Sequence, residues 1–210
     1  MIQAVILAGG EGKRLRPLTT KTPKSMVLIR RKPFLYHLLR HLKKIGFKNI
    51  LICTGYMSEK IVNYFGGGKK LGLNIKYSVD GKNLQGTGGA LKNAQPFLSK
   101  EFLLINGDTY LPIDYSNFIK FAHKKNKLGT IIFYKNSKRE NKNPKPIHAG
   151  TGLYKKSITT FIPRNKRFSL EKELFPILVQ KKQLGKYITN QKFYDIGTPY
   201  RLRIIEKILK

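Results

Sequence analysis

Nearly continuous apolar runs alternate along this chain with segments whose apolar residues fall three and four apart. Ile2 to Leu7, Asn49 to Cys53 and Phe102 to Ile105 are runs of the first kind, and such runs mark strands buried on both faces of a parallel sheet. Phe34, Leu35, Leu38, Leu39, Leu42 and Ile45 recur at helical spacing, with Pro33 suited to the first helical position and Gly46 to the end. Ser58 is expected to cap a short helix through Phe65, and further helices are expected over Gly88 to Ala94 and from Asp114 to about Lys124. Asn74 to Ser78, Thr130 to Tyr134, His148 to Tyr154 and Lys192 to Tyr194 read as strands. Ser169 can cap a helix whose first turn carries Glu171 and Glu173, where negative charge is favoured. Thr198 and Pro199 read as N-cap and first position of a terminal helix. Polar, proline-bearing Lys135 to Ile147 reads as an exposed loop. Strands alternating with helices predict an α/β fold with a doubly wound, mostly parallel sheet, and residues 1–210 form one domain by length.

The first strand runs into Leu7-Ala8-Gly9-Gly10-Glu11-Gly12-Lys13-Arg14. Glycines let backbone amides approach phosphate oxygens, and the cations neutralise them. The spacing excludes a P-loop, because Leu7 stands where the first glycine belongs and Arg14 replaces Ser or Thr. The dinucleotide fingerprint fails as well, since Leu15 stands where its third glycine is needed.

Ile6-Leu7-Ala8-Gly9-Gly10-x-Gly12-x-Arg14-Leu15-x-Pro17-Leu18-Thr19, followed by Thr22-Pro23-Lys24, resembles the signature of the sugar-1-phosphate nucleotidyltransferases. Gly86-Thr87-Gly88-Gly89-Ala90, Asn106-Gly107-Asp108-Thr109, Ala149-Gly150, Phe168-Ser169-Leu170-Glu171 and Tyr194-Asp195-Ile196-Gly197 extend the similarity in the family's order. The likeness is greatest to the short branch of heptose-1-phosphate guanylyltransferases and N-acetylmuramate-1-phosphate uridylyltransferases. It implies a Rossmann-like sheet of mixed direction. It also implies transfer of a nucleotide from a nucleoside triphosphate to a sugar-1-phosphate, giving an NDP-sugar for surface glycan or lipopolysaccharide synthesis and releasing pyrophosphate. GTP with a heptose- or mannose-type sugar phosphate is the pairing taken from the nearest branch.

The resemblance distributes roles. Arg14 and Lys24 are the catalytic cations, Arg14 because its fork matches phosphate geometry. Asp108 and Asp195, each following a strand-like segment, are the ligands expected for Mg2+, an ion that takes one or two carboxylates besides waters and phosphates. Leu7, Ala8, Gly9, Gly10, Gly12, Lys13, Gln85, Gly86, Thr87, Gly88 and Gly107 are expected around the nucleotide, and Gly150 and Glu171 around the sugar phosphate. Two departures stand out. Gln85 replaces a common apolar residue, and its amide could read a base edge or face water. The segment Lys135 to Pro146 lacks the family's Glu-Lys pair. The latter points to an unusual sugar, to a pocket completed by another chain, or to a catalytically weak, nucleotide-sensing relative.

Composition adds one extreme. Lys and Arg number 42 against 11 Asp and Glu, a net charge of +31. Such a field attracts polyanions, nucleotides included. A basic nucleic-acid-binding module is the competing class, but the cations are spread along the chain and no nucleic-acid motif accompanies them. His37 and His41 share metal-ligand spacing without an acidic or thiol partner nearby, and are expected on the outer flank of their helix. The single Cys53 lies in an apolar run and is expected to be a buried small hydrophobe. With no transmembrane run and no signal-peptide pattern, a cytoplasmic protein is expected. Its partners are substrates, with no membrane insertion, and a homo-oligomer remains open.

Overall fold

A computed structural model of the chain describes residues 2–81, 85–136 and 145–209. Its strands are β1 (Gln3–Leu7), β2 (Leu28–Ile29), β3 (Lys32–Pro33), β4 (Asn49–Thr54), β5 (Asn74–Val79), β6 (Glu101–Asn106), β7 (Thr109–Tyr110), β8 (Gly129–Tyr134), β9 (Ile147–Lys155), β10 (Leu184–Thr189) and β11 (Tyr194–Asp195). The helices are α1 (Phe34–Lys44), α2 (Ser58–Phe65), α3 (Gly86–Asn93), α4 (Tyr115–Lys125), α5 (Phe175–Gln180) and α6 (Pro199–Ile208). A seven-stranded sheet orders them β10-β8-β9-β6-β1-β4-β5. All neighbours pair in parallel except β9, which runs antiparallel to both β6 and β8. The mostly parallel α/β sheet expected from the alternation is therefore present, with the mixed direction that the resemblance implies.

Both faces of this sheet are covered, which is why its central strands read as continuous apolar runs. Ala4, Ile6, Ile50 and Ile52 face Leu35, Leu38, Leu39 and Leu42 of α1, with Ile61 of α2 and Phe118 of α4. Val5, Leu51, Cys53, Phe102 and Leu104 face Ala90 and Leu91 of α3. A smaller cluster of Ile29, Phe34, Ile196 and Ile205 seats α6 on the β2–β3 hairpin.

Asp114 and Thr198 cap α4 and α6, accepting from the amides of Asn117 and Arg201. Ser58 is not a cap: it is the first residue of α2, after Met57 in the left-handed region at φ 49°. Pro33 lies outside α1, in β3, and α3 begins at Gly86 rather than Gly88. Nor are His37 and His41 on an outer flank. The His37 ring nitrogen Nε2 lies 2.9 Å from the Ile29 carbonyl, and the His41 ring packs 4.8 Å from that of Tyr110. Burial lowers the His41 pKa.

Strand β10 had no signal in the pattern. It lies at the sheet edge against β8, and Gly185 and the exposed Lys186 interrupt any apolar run. Of the segment expected as a loop, Ile147 belongs to β9, while residues 137–144 lie outside the described residues.

Leu39 is completely buried between α1 and the sheet. Leu39→Ala is expected to destabilise the fold by about 3 kcal/mol in urea denaturation, the transfer loss plus the cavity it leaves.

Candidate functional site

A cleft of about 480 Å³ opens where β1, β4, β5 and β6 end. In doubly wound sheets this carboxyl edge is where ligands bind, because the loops diverge there to opposite faces. The floor is the glycine loop after β1. Ala8 N–H donates to the Cys53 carbonyl at 2.8 Å and Tyr56 N–H to that of Gly9 at 3.3 Å, fastening the loop to the end of β4. Beyond that point, the amides of Gly10, Glu11 and Gly12 donate to no acceptor among the described residues. A run of amides left without protein partners is suited to an anion.

Gly12 is in the left-handed region at φ 67°, and a Cβ on it would lie 2.9 Å from Lys24 Cβ. The glycine therefore lets the stem of Lys24 lie against the loop. Lys24, 14% exposed at its side chain, pairs through Nζ with Oδ2 of Asp108. Asp108 Oδ1 accepts from Thr109 Oγ1 at 2.9 Å. Arg14 also lines the cleft and comes within 3.3 Å of where a Cβ on Gly197 would sit. Lys13 lines it too, but its ammonium pairs at 2.9 Å with Glu11, whose carboxyl pKa this contact lowers.

The short ladder β7–β11 pairs Asp195 with Thr109, and Ile196 N–H donates to the Asp108 carbonyl at 3.1 Å. Two aspartates distant in sequence thus arrive on neighbouring strands. The Asp195 carboxylate is held at both oxygens, by Gly197 N–H at 2.8 Å and Arg201 Nη1 at 2.7 Å, and it does not line the cleft.

Comparison with known proteins identifies the family. The profile of the family described as "Nucleotidyl transferase" matches residues 3–143. The chain belongs to the nucleotidyl transferase family. It is 31% identical to a D-glycero-alpha-D-manno-heptose 1-phosphate guanylyltransferase of Aneurinibacillus thermoaerophilus, covering all of this chain and 99% of the relative. It is 29% identical to a UTP–glucose-1-phosphate uridylyltransferase of Synechocystis, covering 93% of this chain but only 60% of that protein's length. The crystal structure of HddC from Yersinia pseudotuberculosis complexed with GMP-PN superposes with a TM-score of 0.83 at 29% identity over the whole of both chains.

Within this chain, Leu7, Ala8, Gly9, Gly10, Gly12, Lys13, Arg14, Lys24, Gly86, Thr87, Gly107 and Asp108 line the same cleft. Gln85, Gly88, Asp195, Gly150 and Glu171 do not. The glycines opening α3 make room for Phe168. Gly88 N–H donates to the Phe168 carbonyl at 2.8 Å, Phe168 N–H donates to that of Gln85 at 2.9 Å, and a Cβ on Gly88 would lie 2.6 Å from the Phe168 ring. Glu171 accepts from Thr87 Oγ1 at 3.0 Å and Ser169 Oγ at 3.1 Å, tying its segment to the same helix start. Gly150, at φ 66°, makes room for Asn106, whose Nδ2 would be 2.9 Å from an added Cβ. Through Asn106, which lines the cleft, Gly150 shapes it from behind.

Asp80, Ser25 and Arg167 also line the cleft without having been singled out in the sequence, and Asn106 and Ala90 line it from motifs that carried the resemblance but gave these two no role. Asp80 had a usable signal: like Asp108, it is an acid just past the end of a sheet strand. Arg167 had none, being one more cation in a chain full of them.

Cys53 borders the cleft but is completely buried, and burial pushes its thiol pKa far up. Since the thiolate is the reactive form, folded protein is expected to resist a thiol-specific reagent and denatured protein to react fully, read by absorbance. Gly107 N–H donates to the Leu7 carbonyl at 2.8 Å, and a Cβ there would lie 2.7 Å from that oxygen. Gly107→Ala must part the two loops, an overpacking worth about 1–3 kcal/mol, and is expected to lower both the melting temperature and nucleotide affinity in calorimetry.

Proposed function

We propose that the chain transfers a nucleotide from a nucleoside triphosphate to a sugar-1-phosphate, making an NDP-sugar for glycan assembly. The observation that carries this is the convergence of the unpartnered loop amides, Arg14, Lys24 and Asp108 on one cleft. The guanylyl- and uridylyltransferase relatives support the reading.

In this reaction a sugar-phosphate oxygen forms a bond to the α-phosphorus while the bond to pyrophosphate breaks. The nucleophile is already an anion, so no general base is needed. What must be supplied is alignment of two polyanions and a sink for charge on the leaving group. The loop amides and Arg14 would hold the β- and γ-phosphates. Lys24, reaching past Gly12 to Asp108, would lie between the α-phosphate and the incoming sugar phosphate.

Asp108, which lines the cleft, fits Mg2+, since a hard cation prefers carboxylates and completes its shell with waters and phosphates; Asp195, held at both oxygens off the cleft, would have to exchange Arg201 for the ion. When bound, the ion would neutralise phosphate charge beside Lys24. The +31 charge supports fast capture of both substrates. A cytoplasmic location fits this chemistry, and among the described residues no helix is long and apolar enough to cross a membrane.

Pyrophosphate release, measured across the four ribonucleotides and a panel of sugar-1-phosphates, is expected to require one partner of each kind and Mg2+, and to stop with chelator. Arg14→Ala and Asp108→Ala are each expected to lower kcat/KM about 100-fold or more with an unchanged circular dichroism spectrum. Full activity in Asp108→Ala would remove it from the mechanism. Nucleotide binding without turnover by any pair would indicate a sensor.

A further inference from the structure

Cations that are scattered along the sequence gather at one end of the fold. The connections into β4, β5, β6, β8 and β10 all lie at the amino edge of the sheet, opposite the cleft, because these strands run parallel. Each connection carries lysine: Lys48, Lys69 with Lys70, Lys100, Lys127, and Lys181 with Lys182. None of them holds an acid or an arginine. Antiparallel β9 brings Lys155 and Lys156 to the same edge. Backbone bonds set these segments side by side. Asn74 N–H donates to the Lys48 carbonyl at 2.9 Å, Lys156 N–H to that of Lys100 at 2.8 Å, and Gly129 N–H to that of Gln183 at 3.2 Å. Seven strands spaced about 4.8 Å apart make the row about 29 Å wide. Among the described residues these lysines pair with no carboxylate, and Glu101, the first residue of β6, lies 2.7 Å from His123 instead. Substrate does not account for the row. Strands of five and six residues hold it about 17 Å or more from the cleft, about two Debye lengths at physiological salt.

An apolar ring stands in the middle of this row. Phe97, 49% exposed, lies in the connection into β6, and its carbonyl accepts from Nε2 of Gln3 at 3.1 Å, at the start of the central strand β1. Val179, in the last turn of α5 just before Lys181, is exposed as well. Lysine is a compact charge that attracts anions without the forked geometry by which arginine selects them. Lysines around a bare aromatic ring suit a lipid leaflet: the charges attract anionic headgroups, and the ring enters their boundary with the acyl chains. A nucleic acid matches the row less well, since one phenyl ring is no platform for successive bases. We propose that the amino edge of the sheet docks on an anionic lipid surface, with Phe97 at headgroup level and the cleft turned to water. The docking does not depend on nucleotidyl transfer.

The experiment is cosedimentation of the full chain with vesicles of phosphatidylcholine alone, and with vesicles in which about one-third of the lipid is phosphatidylglycerol. Wild type is expected to pellet with the anionic vesicles, to stay in solution with the neutral ones, and to be released as salt is raised. Lys69→Glu with Lys70→Glu is expected to weaken vesicle binding about 30-fold or more, with the circular dichroism spectrum and pyrophosphate release in solution unchanged. Arg203→Glu with Lys207→Glu removes the same charge from exposed positions of α6, which packs on the β2–β3 hairpin away from the row. That variant is expected to change binding less than about threefold. Phe97→Ser keeps every charge and is expected to weaken binding about tenfold. Pelleting with both vesicle types alike, or with neither, overturns the proposal. So does an equal loss in the two double variants, which would make net charge the cause. Binding of an oligonucleotide that Lys69→Glu with Lys70→Glu abolishes, without pelleting by anionic vesicles, makes this edge a nucleic-acid surface instead and overturns it too. Should that variant not fold, Lys181→Glu with Lys182→Glu at the other end of the row takes its place, with the same expected loss.

Discussion

The cleft depends on one close backbone contact, the hydrogen bond from Gly107 N–H to the Leu7 carbonyl. It joins the loop after β6 to the loop after β1 at the point where both strands stop. No side chain fits between them, so Asp108 arrives beside the glycine loop, and Lys24 can reach it from the far side of Gly12. The sheet supplies the rigidity: β6 and β1 pair in register from Gln3 and Phe102 to Leu7 and Asn106, buried on both faces. A site built on that edge inherits the sheet's stiffness while its loops stay open to ligand.

Charge is organised against this frame in an uneven way. Among the described residues three ion pairs join a Lys or Arg to a carboxylate, two of them at the β6–β7 and β11 turns. Exposed pairs such as Lys13 with Glu11 contribute little in water. Lys24 with Asp108 differs, being largely shielded and set where substrate charge would enter. Asp195, clamped by Gly197 and Arg201, holds the α6 end of the molecule against the Asp108 turn. The excess of cations elsewhere raises the local concentration of polyanions at a cost in self-repulsion, which a core closed on both sheet faces offsets.

Much of this was legible in the chain. The buried strands announced themselves because both faces are covered, so no polar alternation interrupts Val5-Ile6-Leu7 or Phe102 to Ile105. Caps at Asp114, Ser169 and Thr198 were readable because capping is local: the side chain bonds an amide three residues on. The β10 strand was not, since an edge strand with one wet face carries a weak apolar signal. His41 was misplaced because helical spacing gives a face, and only the packing of Tyr110 and Tyr115 says that this face is inward.

The sequence by itself determined the fold class, the glycine loop with its two cations and the candidate acids, because these rest on periodicity and local spacing. Only the tertiary structure decided which of those residues share a cleft. It gave the space of Gly88 to Phe168, placed Gly150 behind Asn106, engaged Glu171 with Thr87, and brought Asp80 into the site. The reason is physical. A side chain's partners lie across contacts between strands distant in sequence, and those contacts exist only once the sheet has brought their ends to one edge.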